Sequence, residues 1–308
     1  MTGRVASQRS SRGSTVVAMA ANRQLPGIRG LVAFAGLALA ALSVAYVLLD
    51  NTLAGQAWSD QAYLGSALQP AHAQRWTNQF LHVITPLTTG LACLAILAIG
   101  TVRRLPLAGV VAALGLGLAA AMAELLRIAL PHPDLATGYE ALMGDKAYQT
   151  FPSGHATIVT ATTLGLLLVA SRQWRLPIAI GGTLAVTLVA VGTVAAHWHR
   201  PGDALGGIAL ACLVQGMAAI VLVRRYGQPV ASPKVTVILA AGCAATSVLG
   251  MAWYLSDVRL ARVDQLPVGV PLWAFPIAIT AIGIAAGIAV YAFARLLRDV
   301  DLVPRGVA

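Results

Sequence analysis

The sequence predicts an all-α protein, a polytopic membrane helix bundle of about eight transmembrane helices. Three observations predict it. Only 10% of the 308 residues are charged, against about 25% in an ordinary soluble domain. Hydrophobic residues make up 58% of the chain and the mean hydropathy is +0.76. The apolar residues fall in long runs rather than in the alternation of a half-buried strand or the stripe of an amphipathic helix. This composition excludes a soluble globular enzyme, a disordered chain and a fibrous protein, and the lack of strand alternation argues against an outer-membrane barrel.

Residues 1–27 are polar and rich in serine and arginine, and are read as a disordered cytoplasmic tail. Their apolar patch, Val16 to Ala21, is too short for the core of a signal peptide. A helix crossing the hydrocarbon core needs about 20 apolar residues. Eight runs meet or approach this length, at 31–49, 81–99, 105–130, 154–170, 176–196, 204–223, 235–255 and 272–294. The fourth is short, and the third is long enough to tilt or to project beyond the lipid. Cys93, Cys212 and Cys243 all lie inside apolar runs without metal-ligand spacing, so they are read as free buried thiols.

The net charge of +10 raises the question of nucleic acid, and its distribution answers it. With the N-terminus in the cytoplasm, 15 of the 21 basic residues fall on cytoplasmic segments and nine of the 11 acids on the outer side. That is the positive-inside pattern, and it accounts for the charge without a nucleic-acid partner. The expected location is the cell membrane, multi-pass, with both termini cytoplasmic. All six histidines then lie at or near the outer face. Short polar outer loops collect histidines, but four of these fall in three loops that a bundle would bring together.

The first loop ends the third span and holds Glu124, Arg127, His132 and Asp134. Ionisable residues in or near a span are costly and usually functional. Arg127 is either an anion ligand, a partner of Glu124 three residues back, or a side chain reaching outward to the interface. The second loop, Phe151-Pro152-Ser153-Gly154-His155, runs straight into an apolar helix. Ser153 is a candidate N-cap, and Gly154 leaves the backbone open to a ligand. Free N–H groups at a helix N-terminus bind anions such as phosphate, although Pro-Ser-Gly is also ordinary helix-start chemistry. The third loop is His197-Trp198-His199-Arg200-Pro201-Gly202-Asp203. His199 and Asp203 are four residues apart, so a helical turn would put imidazole and carboxylate on one face. A carboxylate on one ring nitrogen leaves the other as a nucleophile or base. Alternatively, Asp203 is only a cap.

These three elements, in this order and on this span pattern, resemble the type 2 phosphatidic acid phosphatase superfamily over about residues 80–225. The family's second stretch, Pro-Ser-Gly-His, is matched in full by Pro152-Ser153-Gly154-His155. Its third stretch is Ser-Arg, five residues, His, three residues, Asp. His199 and Asp203 match the second half, while Gly192 and Thr193 stand at Ser-Arg. Its first is Lys, six residues, Arg-Pro. Arg127 stands for the lysine, and Asp134 and Leu135 occupy the Arg-Pro positions.

The resemblance implies a six-helix phosphatase-like core at residues 28–230, followed at 231–308 by two additional spans and a cytoplasmic tail. It implies a metal-independent phosphatase acting at the outer face on a lipid phosphate, of polyprenyl phosphate or phosphatidic acid type. His199 forms a phosphohistidine, Asp203 orients it, and His155 protonates the leaving alcohol and then activates water. Arg127, Ser153, Gly154, Arg200, His132 and His197 are the candidate phosphate-binding residues, with no metal and no cofactor. One alternative is a phosphotransferase on the same scaffold, passing the phosphoryl or head group to an alcohol or sugar. Another is a non-catalytic membrane protein or transporter. The intact His155, His199 and Asp203 set, and the placing of polar residues near the span ends rather than at mid-span, argue against the latter.

Overall fold

The computed structural model describes residues 28–66, 71–131, 133, 135, 150–229, 273–298 and 300–303. The predicted tail at 1–27, the seventh span at 235–255 and the candidate ligand His132 lie outside the described residues. The described part is a membrane helix bundle. In chain order its elements are α1 (Ile28–Val44), which continues through a wider π-helical turn at Ala45–Asp50, α2 (Leu53–Gly65), α3 (Ala71–Leu81), α4 (Pro86–Val102) and α5 (Pro106–Ala129). They continue with α6 (Gly154–Val169), α7 (Arg172–Ala195), α8 (Pro201–Tyr226), β1 (Gly227–Pro229), α9 (Ala274–Leu296) and β2 (Val300–Leu302).

Among the described residues, five helices, Ile28–Asp50, α5, α7, α8 and α9, are long and apolar enough to cross a membrane. α3 and α4 meet that test together, bent by 57° at the break between them. α6 has 16 residues, about 24 Å at the helical rise, and is shorter than a full crossing. Seven of the eight predicted runs therefore correspond to described helices, the fourth short as expected and the second starting later than expected, at Pro86.

Local chemistry starts these helices where they start. Pro86, Pro106 and Pro201 each occupy a first-turn position, where a missing N–H costs nothing. Thr85 caps α4 by accepting from Thr88 N, and the Thr88 hydroxyl accepts from Thr85 N in return. α8 is the central helix, packed against α1, α5, α6, α7 and α9. Its small residues permit this. A Cβ at Gly216 would lie 3.2 Å from the Phe34 ring of α1, the close approach that small residues give between membrane helices. Contrary to the expectation that polar residues lie near the span ends, Gln215 is buried at mid-span, where it donates to Ala112 O and Ala161 O, both at 3.1 Å, in a slot left by Gly115 and Gly165.

The bundle end that carries the α4–α5 turn is rich in arginine. Arg103 donates to Val169 O at 3.0 Å and Ala170 O at 3.1 Å, and buried Arg175 to Leu297 O at 2.6 Å and Val300 O at 2.7 Å. Both meet Asp301 Oδ1, at 3.4 and 3.5 Å. There β2 pairs antiparallel with β1, Gly227 opposite Leu302. These contacts tie α9 and the strand after it to α4, α7 and α8.

α2 and α3 lie at the opposite end and were not expected from the apolar runs. On α3, Trp76 and Phe80 stand one turn apart in an exposed apolar stripe, and exposed Val83 and Leu87 follow across the bend into α4. Such an apolar stripe on a short amphipathic helix suits a membrane interface.

Candidate functional site

The sites flagged in the sequence meet at the end of the bundle where α2 and α3 lie. Asp203 sits at the third position of α8, 1% exposed, and its Oδ2 faces His199 Nδ1 at 3.3 Å. The same oxygen accepts from Arg200 N at 2.9 Å, and Asp203 also takes a side-chain hydrogen bond from Thr150. The carboxylate is thus both the helix cap and the imidazole's partner, and the two readings of the sequence hold together. With Nδ1–H donated to Asp203, the Nε2 of His199 carries the free lone pair. The loop that presents His199 hangs on buried Thr193, whose carbonyl accepts from Trp198 N at 2.9 Å and His199 N at 3.1 Å.

Ser153 caps α6, its hydroxyl accepting from Ala156 N at 3.4 Å. Its own N–H donates to Asp203 O at 2.9 Å. Ser153 therefore ties the Pro-Ser-Gly-His loop to the first turn of α8, and the open first-turn amides are those of Gly154 and His155. Arg127 reaches that same N-terminus. A Cβ on Gly154 would lie 3.4 Å from Arg127 Nη2 and 3.7 Å from Glu124 Oε1. Arg127 Nη1 pairs with Glu124 Oε2 at 3.3 Å, while its Nε has no hydrogen-bond partner. The ligand role and the Glu124 pair are compatible in this arrangement. His199, Arg127 and His82 all lie within electrostatic reach of His155, which also hydrogen-bonds the Leu81 backbone.

The other two predicted phosphate ligands are engaged elsewhere. Arg200 Nε meets Asp60 Oδ1 of α2 at 2.8 Å, with Asp60 1% exposed. His197 has a left-handed backbone, φ 60°. Its carbonyl accepts from the Tyr63 hydroxyl at 2.9 Å, its Nδ1 lies 2.8 Å from Gln74 Nε2, and its ring is 4.8 Å from that of Tyr63. Burial pushes its pKa below the ordinary histidine value, against a smaller upward pull from the Tyr63 contact. Burial likewise pushes the Tyr63 phenol upward, keeping it a donor. These contacts hold His197 in a strained conformation that a residue other than glycine adopts only when its surroundings impose it.

Asp60, Tyr63 and Gln74 are the contributors that sequence reading missed. Asp60 and the Thr52 cap before α2 were visible as polar residues, but α2 and α3 are too polar to register as spans. No group of three or more candidate metal ligands occurs among the described residues.

Residues 105–227 match the family model described as the PAP2 superfamily. That stretch holds Arg127, the Pro-Ser-Gly-His loop and the His199–Asp203 pair, the residues that carry the resemblance seen in the sequence. Members of this superfamily are in general phosphatases. No curated protein and no solved structure matches the chain.

Proposed function

We propose that this membrane protein is a lipid phosphate phosphatase that works through a phosphohistidine at the outer face of the cell membrane. The observation that carries the reading is the His199–Asp203 pair set beside the α6 N-terminus, with His155 and Arg127 at the same place. His199 Nε2 attacks phosphorus as the bond to the leaving alcohol breaks. The alcohol leaves with a proton from His155, and Asp203 keeps the Nδ1–H of the resulting imidazolium in place. In the second step His155 takes a proton from water. The hydroxide attacks phosphorus, the P–N bond breaks, and inorganic phosphate leaves. The amides of Gly154 and His155, with Arg127, supply the positive field that phosphoryl transfer needs.

The charge distribution supports the outer face, because the end opposite the site carries the arginines of the α4–α5 and α6–α7 turns. The lipid tail would lie between helices while the phosphate rises to the loops. The substrate class is a polyprenyl phosphate or diphosphate, or a phosphatidic acid. The test is phosphate release by the purified chain from a panel of these lipids, with His199→Ala as control. Activity is expected to persist in chelator and to be blocked by vanadate, a mimic of five-coordinate phosphorus. Full activity in His199→Ala would overturn the nucleophile assignment. Phosphoryl transfer to an added alcohol in preference to water would identify the phosphotransferase alternative instead.

A further inference from the structure

Gly192 and Thr193 stand where the family pattern has serine and arginine, and the structure shows what occupies that space. A Cβ on Gly192 would lie 3.3 Å from Thr77 Cγ2 and 3.6 Å from Leu81 Cδ2. The second half of α3 therefore rests on the bare backbone of α7. Thr193 is fully buried, its hydroxyl donating to Ala190 O at 2.8 Å. Leu81 is fully buried in a small cluster with Val189 and Ala196, against which Trp198 packs. Docking α3 here carries the next residue, His82, to the site.

The His82 ring lies 5.0 Å from that of Trp198, and Trp198 lies 5.2 Å from His155. Both imidazoles meet the indole at 66°. His82 is exposed, whereas His155 is half-buried. The cations expected for a phosphate are largely matched already. Glu124 shares Arg127, Asp60 holds Arg200, and His197 is engaged by Tyr63 and Gln74. A phosphoryl group keeps about two negative charges during transfer, so the site as described is short of donors not already opposed by a carboxylate.

We propose that His82 is an anion ligand of this site, donating a ring N–H to a non-bridging phosphoryl oxygen in place of the arginine that position 193 lacks. The inference rests on the proposed phosphate site and adds a residue from outside the stretch that the family model matches. α3 then does two things with one contact: it fills the space above Gly192 and delivers a replacement donor.

The test is calorimetric binding of orthovanadate to the full-length chain in detergent, run for wild type, His82→Phe and His82→Arg, alongside phosphate release from the lipid panel. Phenylalanine keeps an aromatic ring against Trp198 without a donor. A hydrogen bond to a charged group is worth about 1.5–3 kcal/mol, so His82→Phe should weaken vanadate binding by about 10-fold or more. His82→Arg should stay within about threefold of wild type, since a guanidinium offers the same kind of donor. Wild-type affinity in His82→Phe, or an equal loss in His82→Arg, would overturn the inference. If wild type binds vanadate in a His82-dependent way yet releases no phosphate, the inference stands and the phosphatase reading fails. If wild type releases phosphate and His82→Phe binds vanadate as well as it does, the phosphatase reading stands and the inference fails. No binding by wild type would overturn both.

Discussion

Gly207 sits one turn into α8, away from the reacting groups, yet the geometry makes it a sensitive position. An added Cβ would lie 2.5 Å from Ser153 O, 3.0 Å from Thr157 Oγ1 and 3.1 Å from Ala156 Cβ. The nearest atom is backbone, and it is held. Ser153 O accepts from Thr157 N at 3.0 Å and from the Thr157 hydroxyl at 2.8 Å. Ordinary contact begins near 3.4 Å, so Gly207→Ala must push the start of α6 away from α8 by about 0.9 Å. That motion stretches the Ser153 N–Asp203 O bond and separates His155, on α6, from His199, before α8. A displacement of about 1 Å from a remote change can cost about 100-fold in rate. Gly207→Ala should therefore lower kcat for phosphate release by about 100-fold while detergent-solubilised protein keeps its helical circular dichroism. Gly117→Ala, at a position with open space around the added methyl, is the control. A Gly207→Ala protein with kcat within twofold of wild type would refute the claim that backbone contact between α6 and α8 sets the spacing of the two histidines.

Arg127→Ala should lower kcat/KM for phosphate release by about 10- to 100-fold, the worth of one charged hydrogen bond, while Glu124→Gln, which releases Arg127 from its partner, should not lower it. Arg200→Ala leaves buried Asp60 without its guanidinium and should cost about 3–5 kcal/mol of stability; an Asp60→Leu, Arg200→Met pair should recover most of the loss in denaturant melts. For His197, burial makes the folded pKa lower than the unfolded one, so the unfolded state binds the extra proton. Its contribution to stability is full above about pH 6.5 and is lost as pH falls below that, so the melting temperature of wild type should drop more between pH 7.5 and 5.5 than that of His197→Gln. In a cysteine-free background, cysteines at the exposed positions Gln79 and Gln173 should label from opposite sides of the membrane, and same-side labelling would remove the outer-face assignment.

Apolar runs made seven of the described helices legible, because a span must satisfy its backbone internally and offer lipid a continuous apolar surface. The same logic hid α2 and α3. α3 is bent by 57° from the apolar helix it precedes, and α2, only 13 residues long, mixes Gln56, Ser59, Asp60 and Gln61 among alanines in a way that reads as loop. The pairing across the α9 strand was hidden for another reason. Asp301 gains meaning only through Arg103 and Arg175, roughly 200 and 125 residues away, a non-local contact with no local pattern. In the site, the His199–Asp203 spacing and the Ser153 cap were legible because they are local rules of helix starts. The engagement of Arg200 by Asp60 was not, since Asp60 stands 140 residues earlier on a helix that no apolar run announces.

The two gaps, the departure from the third motif and the unforeseen α3, have one physical origin. A serine at 192 would place its Cβ 3.3 Å from Thr77 Cγ2 and 3.6 Å from Leu81 Cδ2, and an arginine at 193 would have to fit where a fully buried threonine sits. With glycine there, an interfacial helix can lie directly on α7, and its burial of Leu81 against Val189 and Ala196 stabilises the loop that presents Trp198 and His199. Full burial of a leucine is worth about 1.5–3 kcal/mol, enough to offset part of the strain at His197. The motif positions and the interfacial helix therefore behave as one unit. Restoring Ser-Arg at 192–193 without moving α3 would tighten its contact with α7 at 192 and force a long side chain into the buried position 193.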